Sequence, residues 1–227
     1  LDGYENDKNY KANGGGINSN WKSTNPIIIK KAIISENEAK RSGGGIYSSR
    51  SITIEDSSIE NNKAESTGGG ACIFDNFEMN NAIINKNEAE SSGGAFVSKN
   101  FKMEGKSEIC NNTSINGASG ICLHGTGTIT DGIISNNKTT GQYSDSTGGI
   151  LLKLSESTLN VSGNPIITGN IKEIDHSINN VYLSENKIIN VIGKLGERAN
   201  IGVTVEDEPT TGGRRKIADG SNGYAIL

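Results

Sequence analysis

The chain has few of the residues that usually build a hydrophobic core. Only 33% of its 227 residues are apolar and 5% are aromatic, whereas glycine occurs 30 times. No apolar run reaches the roughly 18 residues that a membrane-spanning helix needs, and no signal peptide opens the sequence. Composition alone would therefore place the chain near disordered proteins.

Motifs for metals, phosphates and nucleic acids are missing as well. The two histidines, His124 and His176, have no suitably spaced ligand partners, so we expect no metal and no cofactor. The glycine clusters match neither a phosphate-binding loop nor the Asp-bearing repeat that binds calcium in other β-rolls. The net charge is −4, and the basic run at 214–216 is short. We therefore expect no nucleic-acid binding.

Isoleucine and asparagine instead recur at fixed positions. Five copies of the pattern Ile-x-x-Asn follow one another at a constant spacing of 25 residues. A period this regular is typical of one structural unit stacked on copies of itself. The copies contain Ile34, Ile59, Ile84, Ile109 and Ile134, followed by Asn37, Asn62, Asn87, Asn112 and Asn137.

Each repeat also contains a glycine cluster and three short apolar stretches, which we interpret as three strands separated by turns. The third stretch ends at the Ile of Ile-x-x-Asn, and no segment shows a sustained helical period. The first stretch follows the glycines, near residues 17, 46, 71, 95, 121, 150, 181 and 201. The second contains Ile27/Ile29, Ile52/Ile54, Phe77/Met79, Phe101/Met103 and Ile129.

These features predict an all-β fold, a right-handed parallel β-helix of about eight coils of ~25 residues with three short strands per coil. Each coil should rise by one strand spacing, roughly 4.8 Å, which gives a rod roughly 40 Å long. We assign residues 1–205 to the β-helix and 206–227 to a C-terminal cap or the start of a next segment. Residues 1–13 are expected to form a partial cap, or the cut edge of a longer array.

Stacking of equivalent residues predicts columns inside the rod. The five repeat isoleucines should form one inward column, and small residues another: Ala39, Ala64, Ala89, Ser114 and Thr139. The five asparagines should form an internal ladder, in which each amide donates to the next one or to turn backbone. Asparagine also tolerates the left-handed backbone that a tight corner requires. Glycines should supply positive φ at another corner, or a close backbone approach.

At this level the chain resembles a group of bacterial surface proteins. Alternating Gly-Gly-Ala/Ile and apolar-x-x-Asn motifs, over roughly residues 14–183, are similar to the repeats of chlamydial polymorphic outer membrane proteins and of large Gram-positive repeat-bearing surface proteins. The segments 179–183, 187–191 and 201–204 look closer to the Gram-positive group. The resemblance implies an extracellular, adhesin-like β-helix at the cell surface. It supplies no catalytic residue.

One interruption breaks the period. Residues Lys138 to about Asp145 look inserted, because the next apolar-x-x-Asn ends at Asn170, 33 residues after Asn137. The part around Tyr143 is expected to form a protruding loop. Loops on rigid scaffolds often carry function, although a decoration without function is the alternative.

The strand after each glycine cluster has one outward position per coil. These positions hold Tyr47, Cys72, Phe96, Cys122, Leu151 and Tyr182. An exposed apolar column often marks a contact surface, here for a partner protein, a sugar ring or a second copy. The alternative is that the inserted loop or the terminal segments cover the column. Cys72 and Cys122 lie two coils apart, roughly 9–10 Å, beyond disulfide reach. Cys110 belongs to another column, so all three thiols should be free.

Parallel β-helices also include polysaccharide lyases and hydrolases, so acidic residues on the second strand require attention. Glu55 and Glu104 should share a column two coils apart, with Asp56 and Glu78 nearby. Their separation, roughly 9–10 Å, is at the upper edge for an inverting glycosidase. Mixed charges in the same column are typical of a solvated face.

The sequence therefore favours a non-enzymatic structural or adhesion protein of the cell surface. Its partners would be a host or cell-surface protein or a glycan, bound through the outward column and the inserted loop, and the column or the open ends of the rod could support self-association. A polysaccharide-active enzyme using Glu55, Glu78 and Glu104, and a passive spacer in a larger surface protein, are the alternatives.

Overall fold

The computed structural model describes residues 12–19, 25–143, 145–206 and 214–220. Within these residues the secondary structure consists of short strands and turns, without a helix. The strands form three sheets, and pairing is parallel throughout except for one hairpin at residues 171–178. The chain is thus a parallel β-solenoid of about eight coils, as predicted.

The first sheet contains the strands that follow the glycine clusters, one per coil. Its strands are Ile17–Ser19, Ile46–Ser48, Ala71–Ile73, Ala95–Val97, Ile121–Leu123, Ile150–Leu152, Val181–Leu183 and Val203–Val205. The last begins at Val203 and not near 201 as expected. Ile201 instead pairs with Ile167, which continues the repeat isoleucine column in the second sheet.

The second sheet carries two strand segments per coil. The first segments are Ile27–Lys30, Ile52–Glu55, Phe77–Asn80 and Phe101–Glu104, and the second are Ile33–Ser35, Ser58–Glu60, Ile83–Asn85 and Glu108–Cys110. They merge into single strands at Thr126–Ser135 and Thr158–Thr168, which are followed by Ile189–Leu195, Asn200–Ile201 and Ala218–Asp219.

The third sheet was absent from the sequence-based strand count. Its strands are Glu38–Ala39, Lys63–Thr67, Glu88–Ser91, Thr113–Asn116, Lys138–Thr139, Ile171–Lys172 and Ser177–Ile178. Most coils therefore hold four short strands rather than three. This strand was missed because it contributes one small inward residue per coil, such as Ala64, which is too little for a visible alternation.

The interior consists of the predicted columns. The repeat isoleucines are buried and pair in register, as do the small residues from Ala39 to Thr139. Phe77 and Phe101 fill the same core, with ring centroids 5.9 Å apart. A low apolar content is sufficient because stacking brings the inward apolar residues of successive coils into one continuous core.

The asparagine ladder is present and continuous. The Asn87 backbone N–H and Nδ2 both donate to Asn112 Oδ1, at 2.9 and 3.0 Å, and Nδ2 also donates to Ile59 O at 2.9 Å. Asn87 Oδ1 accepts from the N–H and Nδ2 of Asn62, at 2.9 and 3.0 Å. The buried amide therefore satisfies all its donors and bonds to both neighbouring coils.

The ladder extends two rungs further than the sequence period indicated. Asn137 Nδ2 donates to Asn170 Oδ1, and Asn170 Nδ2 donates to Asn180 Oδ1. Asn180 comes from a different place in its coil, directly before a strand of the first sheet, where the previous coil has Gly149. A glycine position of the repeat thus becomes the last rung found among the described residues.

The left-handed corner lies one residue before the ladder, so the expectation that the ladder asparagines adopt it is wrong. Positive φ values of 53–68° occur at Glu36, Asn61, Lys86, Asn111, Asn136 and Gly169. The ladder residue turns inward only after this corner, which is how its amide reaches the stack. Both expected roles of glycine are found: Gly68 has φ of 69°, and Gly70 lies against the next coil.

The inserted residues are distributed rather than grouped. Thr139, Ile150 and Ile167 lie 25, 29 and 33 residues after their pairing partners in the preceding coil. Lys138 and Thr139 are therefore regular strand residues, contrary to the expected insertion from Lys138 to Asp145. Extra residues enter before and after the strand Ile150–Leu152, and a register shift in Thr158–Thr168 adds to them.

At the C-terminal end of the rod, the second and third sheets finish differently. The antiparallel strand Ser177–Ile178 closes the third sheet, whereas Ala218–Asp219 pairs in parallel with Ile189–Asn190 and extends the second sheet past residue 205. The proposed segments 1–13 and 206–227 lie largely outside the described residues, so their role as caps stays a prediction.

Candidate functional site

The outer face of the first sheet carries the predicted column. Successive outward residues pair in register from Tyr47 through Cys72, Phe96, Cys122 and Leu151 to Tyr182. The three cysteines are free, and Cys110 lies in a separate column of the second sheet. The register deduced from the repeat is therefore confirmed.

The column is less exposed than the open contact surface that the sequence predicts. Cys72, Cys122, Leu151 and Tyr182 are buried, with relative exposures between 1% and 6%, while Tyr47 and Phe96 are half-buried. Cys122, Leu151 and Tyr182 pack with Ala118 into a small second core outside the sheet. Four of the six positions are therefore buried, and whether the inserted loop or the terminal segments contribute to this stays a prediction.

A second outward column explains how the cysteines are covered. The residue two positions after each column member also faces outward, and it is large where the column residue is small. Phe74 follows Cys72 and His124 follows Cys122, whereas Ser49 follows Tyr47 and Ser98 follows Phe96. Large and small side chains thus alternate from coil to coil, which gives a close-packed outer layer.

The four rings form a continuous row, which we call the aromatic strip: Tyr47, Phe74, Phe96 and His124. Ring centroids are 5.7 Å apart from Tyr47 to Phe74, 5.7 Å from Phe74 to Phe96 and 4.7 Å from Phe96 to His124. Neighbouring rings are tilted by 54–77°. Phe74 is 38% exposed and the other three are half-buried, so the strip remains partly accessible.

Burial sets the protonation of the groups in and under the strip. It raises the pKa of Tyr47 and raises the pKa of the Cys72 thiol to about 12. Burial, followed by the charge of Lys153, lowers the pKa of His124. At neutral pH the strip is therefore an uncharged apolar surface, and the thiols beneath it are protonated and unreactive.

Thiol labelling tests the arrangement directly. We expect Phe74→Ser to raise the rate at which Cys72 reacts with a thiol reagent at pH 8 by about tenfold or more, since the ring that excludes reagent and solvent is gone. Mass spectrometry of labelled peptides identifies the modified cysteine. Cys122, which packs with Ala118, Leu151 and Tyr182, is the internal control and should keep its rate. Equal rates for Cys72 in both proteins would contradict the covering role of Phe74.

The loop before the strand Ile150–Leu152 holds the remaining candidate, Tyr143. Its side chain is 65% exposed, and its carbonyl accepts a hydrogen bond from Lys172 Nζ at 2.9 Å. Asp145 Oδ2 and Lys153 Nζ are 2.5 Å apart, which joins the loop to the coil position next to His124. Tyr143 is thus displayed on an anchored loop, and its role in binding stays a prediction.

The acidic candidates lie on the second sheet. Glu55 and Glu104 share a column with Asn80 between them, as predicted. Glu55 pairs with Lys30 and Glu104 with Lys102, both at 2.8 Å. Glu78 lies in the neighbouring column, between Thr53 and Lys102, and Asp56 accepts a bond from Asn81. The two carboxylates that share a column are therefore each engaged by a lysine.

No cluster of three or more His, Cys, Asp or Glu residues suited to a metal ion occurs in the described part of the chain. His176 lies in the hairpin turn with φ of 54°, away from the strip on the third sheet. Across residues 12–19, 25–143, 145–206 and 214–220, no helix has the length and apolar character needed to cross a membrane.

Comparison of the chain with protein-family models, with curated proteins and with solved structures found no match.

Sequence reasoning missed Phe74 and His124 as members of the outer surface. Both come directly after a three-residue strand. The signal was present, since a large ring follows each cysteine of the column by two residues. These rings belong to the outer surface only if the extended backbone continues for one residue past the strand.

Proposed function

We propose that this chain is a non-enzymatic binding β-helix that displays the aromatic strip as its contact surface. The strip is the observation that carries the proposal. It places four partly accessible rings in line on a sheet whose coils are fixed by the asparagine ladder. Rigid presentation reduces the entropy that binding must overcome.

We further propose an extracellular position at the cell surface. This is supported by the similarity of the Gly-Gly-Ala/Ile and apolar-x-x-Asn repeats to those of bacterial surface proteins. A solenoid suits that position because it projects a surface along a rod from short repeated units. Surface labelling of intact source cells with an antibody to the rod would check it.

The arrangement of the acidic residues favours binding over catalysis. General acid–base work needs carboxyl groups whose pKa values are driven apart by their surroundings. Glu55 and Glu104 have similar surroundings, each beside a lysine on a solvated strand. This supports a non-enzymatic function, in which Glu78 has no catalytic role.

Binding and turnover can be measured on the same ligands. The purified chain is applied to a panel of immobilised glycans and extracellular proteins, and reducing ends released from the glycans are quantified. We expect saturable binding without release of reducing ends. Phe74→Ser should weaken this binding at least about tenfold, since an aromatic side chain that becomes buried on binding contributes a large share of the binding energy. The matched control is Ile33→Ser, which removes a 74%-exposed apolar side chain from the second sheet.

Two results would overturn the proposal. Release of reducing ends that Glu104→Gln abolishes would establish the polysaccharide-active alternative. A panel in which no ligand distinguishes the parent chain from Phe74→Ser would favour the passive spacer.

Self-association is the remaining partner hypothesis. With Cys72, Cys122, Leu151 and Tyr182 covered, the outward column offers little surface to a second copy. Open strand edges at the rod ends are the better place for it. Sedimentation over a range of concentrations measures it.

A further inference from the structure

Building on the proposed function, we propose that the aromatic strip binds an uncharged, linear glycan that lies along the rod axis, with about one sugar unit per coil. The size of the strip, the spacing of its rings and the charges beside it support this ligand class.

The accessible area suits a small ligand. A specific protein–protein interface buries about 1,000 Å² or more. Three of the four rings are half-buried and Phe74 is 38% exposed, so the strip supplies only a minor part of such an area. An oligosaccharide needs far less, because the C–H faces of its rings make close contact with aromatic surface and its hydroxyls reach the polar border.

The spacing of the rings suits a repeating polymer. Centroid separations of 4.7–5.7 Å follow the coil rise of roughly 4.8 Å and are comparable to the length of one pyranose unit. Neighbouring rings are tilted by 54–77° and are in contact, so a glycan would lie across the row rather than between the rings. Successive units of a glycan also rotate about their glycosidic bonds, so each unit can tilt to follow the ring beneath it.

Charges beside the strip are balanced. Lys99 pairs with Asp75 at 3.1 Å, and Lys153 pairs with Asp145. Arg41 acts electrostatically on Tyr47 at one end, and Glu156 acts on His124 at the other. The surface therefore offers no excess of either sign to a charged polymer, whereas these groups can hydrogen-bond to sugar hydroxyls.

The polar border opposite the ion pairs supports the same ligand class. Ser66 and Thr67 lie at the end of the third-sheet strand that leads into Gly68, and Ser91 occupies the next coil. All three are partly exposed. Hydroxyl groups of this kind exchange hydrogen bonds with sugars as donors and acceptors.

The experiment is a glycan array of neutral and acidic oligosaccharides, followed by calorimetry on binders from two to six units long and at two salt concentrations. We expect neutral glycans to bind, with affinity that rises to about four units and then levels, one unit per strip ring. Binding should be insensitive to salt, at least tenfold weaker in Phe74→Ser, and unchanged in Ile33→Ser.

Other outcomes overturn this inference in distinguishable ways. Tighter binding of acidic glycans, with loss at high salt and in Arg41→Gln, would overturn the neutral ligand class but leave the strip as a binding surface. A protein ligand whose binding is lost in Phe74→Ser would also overturn the neutral ligand class but leave the strip as a binding surface. If the array and the protein panel both give no ligand that depends on Phe74, this inference and the proposed function fail together.

Discussion

Asn87→Leu should lower the free energy of unfolding by about 4 kcal/mol, since each buried polar group left without a partner costs about 1–3 kcal/mol. The change removes the bonds to Asn112 Oδ1 and Ile59 O and the acceptor for Asn62. It also removes the acceptor for the Asn62 backbone N–H. The expected loss exceeds that of a single unpartnered group because both neighbouring rungs lose a bond.

Urea denaturation followed by circular dichroism measures the loss, and hydrogen exchange locates it. We expect the backbone N–H groups of Asn62 and of residue 87 to exchange faster than that of the distant rung Asn170. The control is Asn100→Leu, which replaces an exposed asparagine whose Nδ2 donates to Asn76 at 3.0 Å. It should cost less than about 1 kcal/mol. Equal losses in the two variants would show that the ladder adds nothing beyond an exposed hydrogen bond.

Gly70→Ala should destabilise the chain by about 3 kcal/mol, at the upper end for overpacking. A Cβ on Gly70 would lie 2.6 Å from Gly94 O and 3.0 Å from Asn87 Nδ2. Gly94 O is held because it accepts bonds from the Gly70 and Ala71 N–H groups, at 3.1 and 3.0 Å. The methyl group must therefore displace either the next coil or a rung of the ladder.

The control for this glycine is Gly169→Asn. Gly169 is exposed with φ of 68°, its nearest neighbour to a built Cβ is 3.2 Å away, and the equivalent residue one coil earlier is Asn136. Asparagine should fit there, with a change within about 1 kcal/mol of zero. Thermal melts measure the change in stability of Gly70→Ala and of Gly169→Asn. A tolerated Gly70→Ala would contradict the close approach of coils at the glycine corner.

Much of the fold was predictable because the repeat period equals the distance between stacked residues. In a parallel stack, residues 25 apart in the chain become direct neighbours, so Ile59, Ile84 and Ile109 could be placed in one column without coordinates. The third-sheet strand and the position of Val203 escaped prediction. Short strands with one inward residue leave almost no pattern.

The candidate site was predictable in register but not in exposure. Tyr47, Cys72 and Phe96 align as expected, yet Cys72 is buried because Phe74 lies between its two aromatic neighbours. That contact joins side chains about one coil apart in sequence. The burial of Cys72 depends on the direction and size of the neighbouring side chains, and the repeat period predicts neither of these.

The sequence by itself determined the stack: its period, the inward columns, the asparagine ladder and the three separate thiols. These follow from local spacing, since equal spacing along the chain becomes contact between coils. Only the tertiary structure decided that the ladder reaches Asn180 and that the extra residues are distributed around Ile150–Leu152. It also decided that the outer face is an aromatic strip over buried cysteines. Each of these depends on how side chains and loops of different coils fill the space between them, which is a property of packing rather than of the repeat.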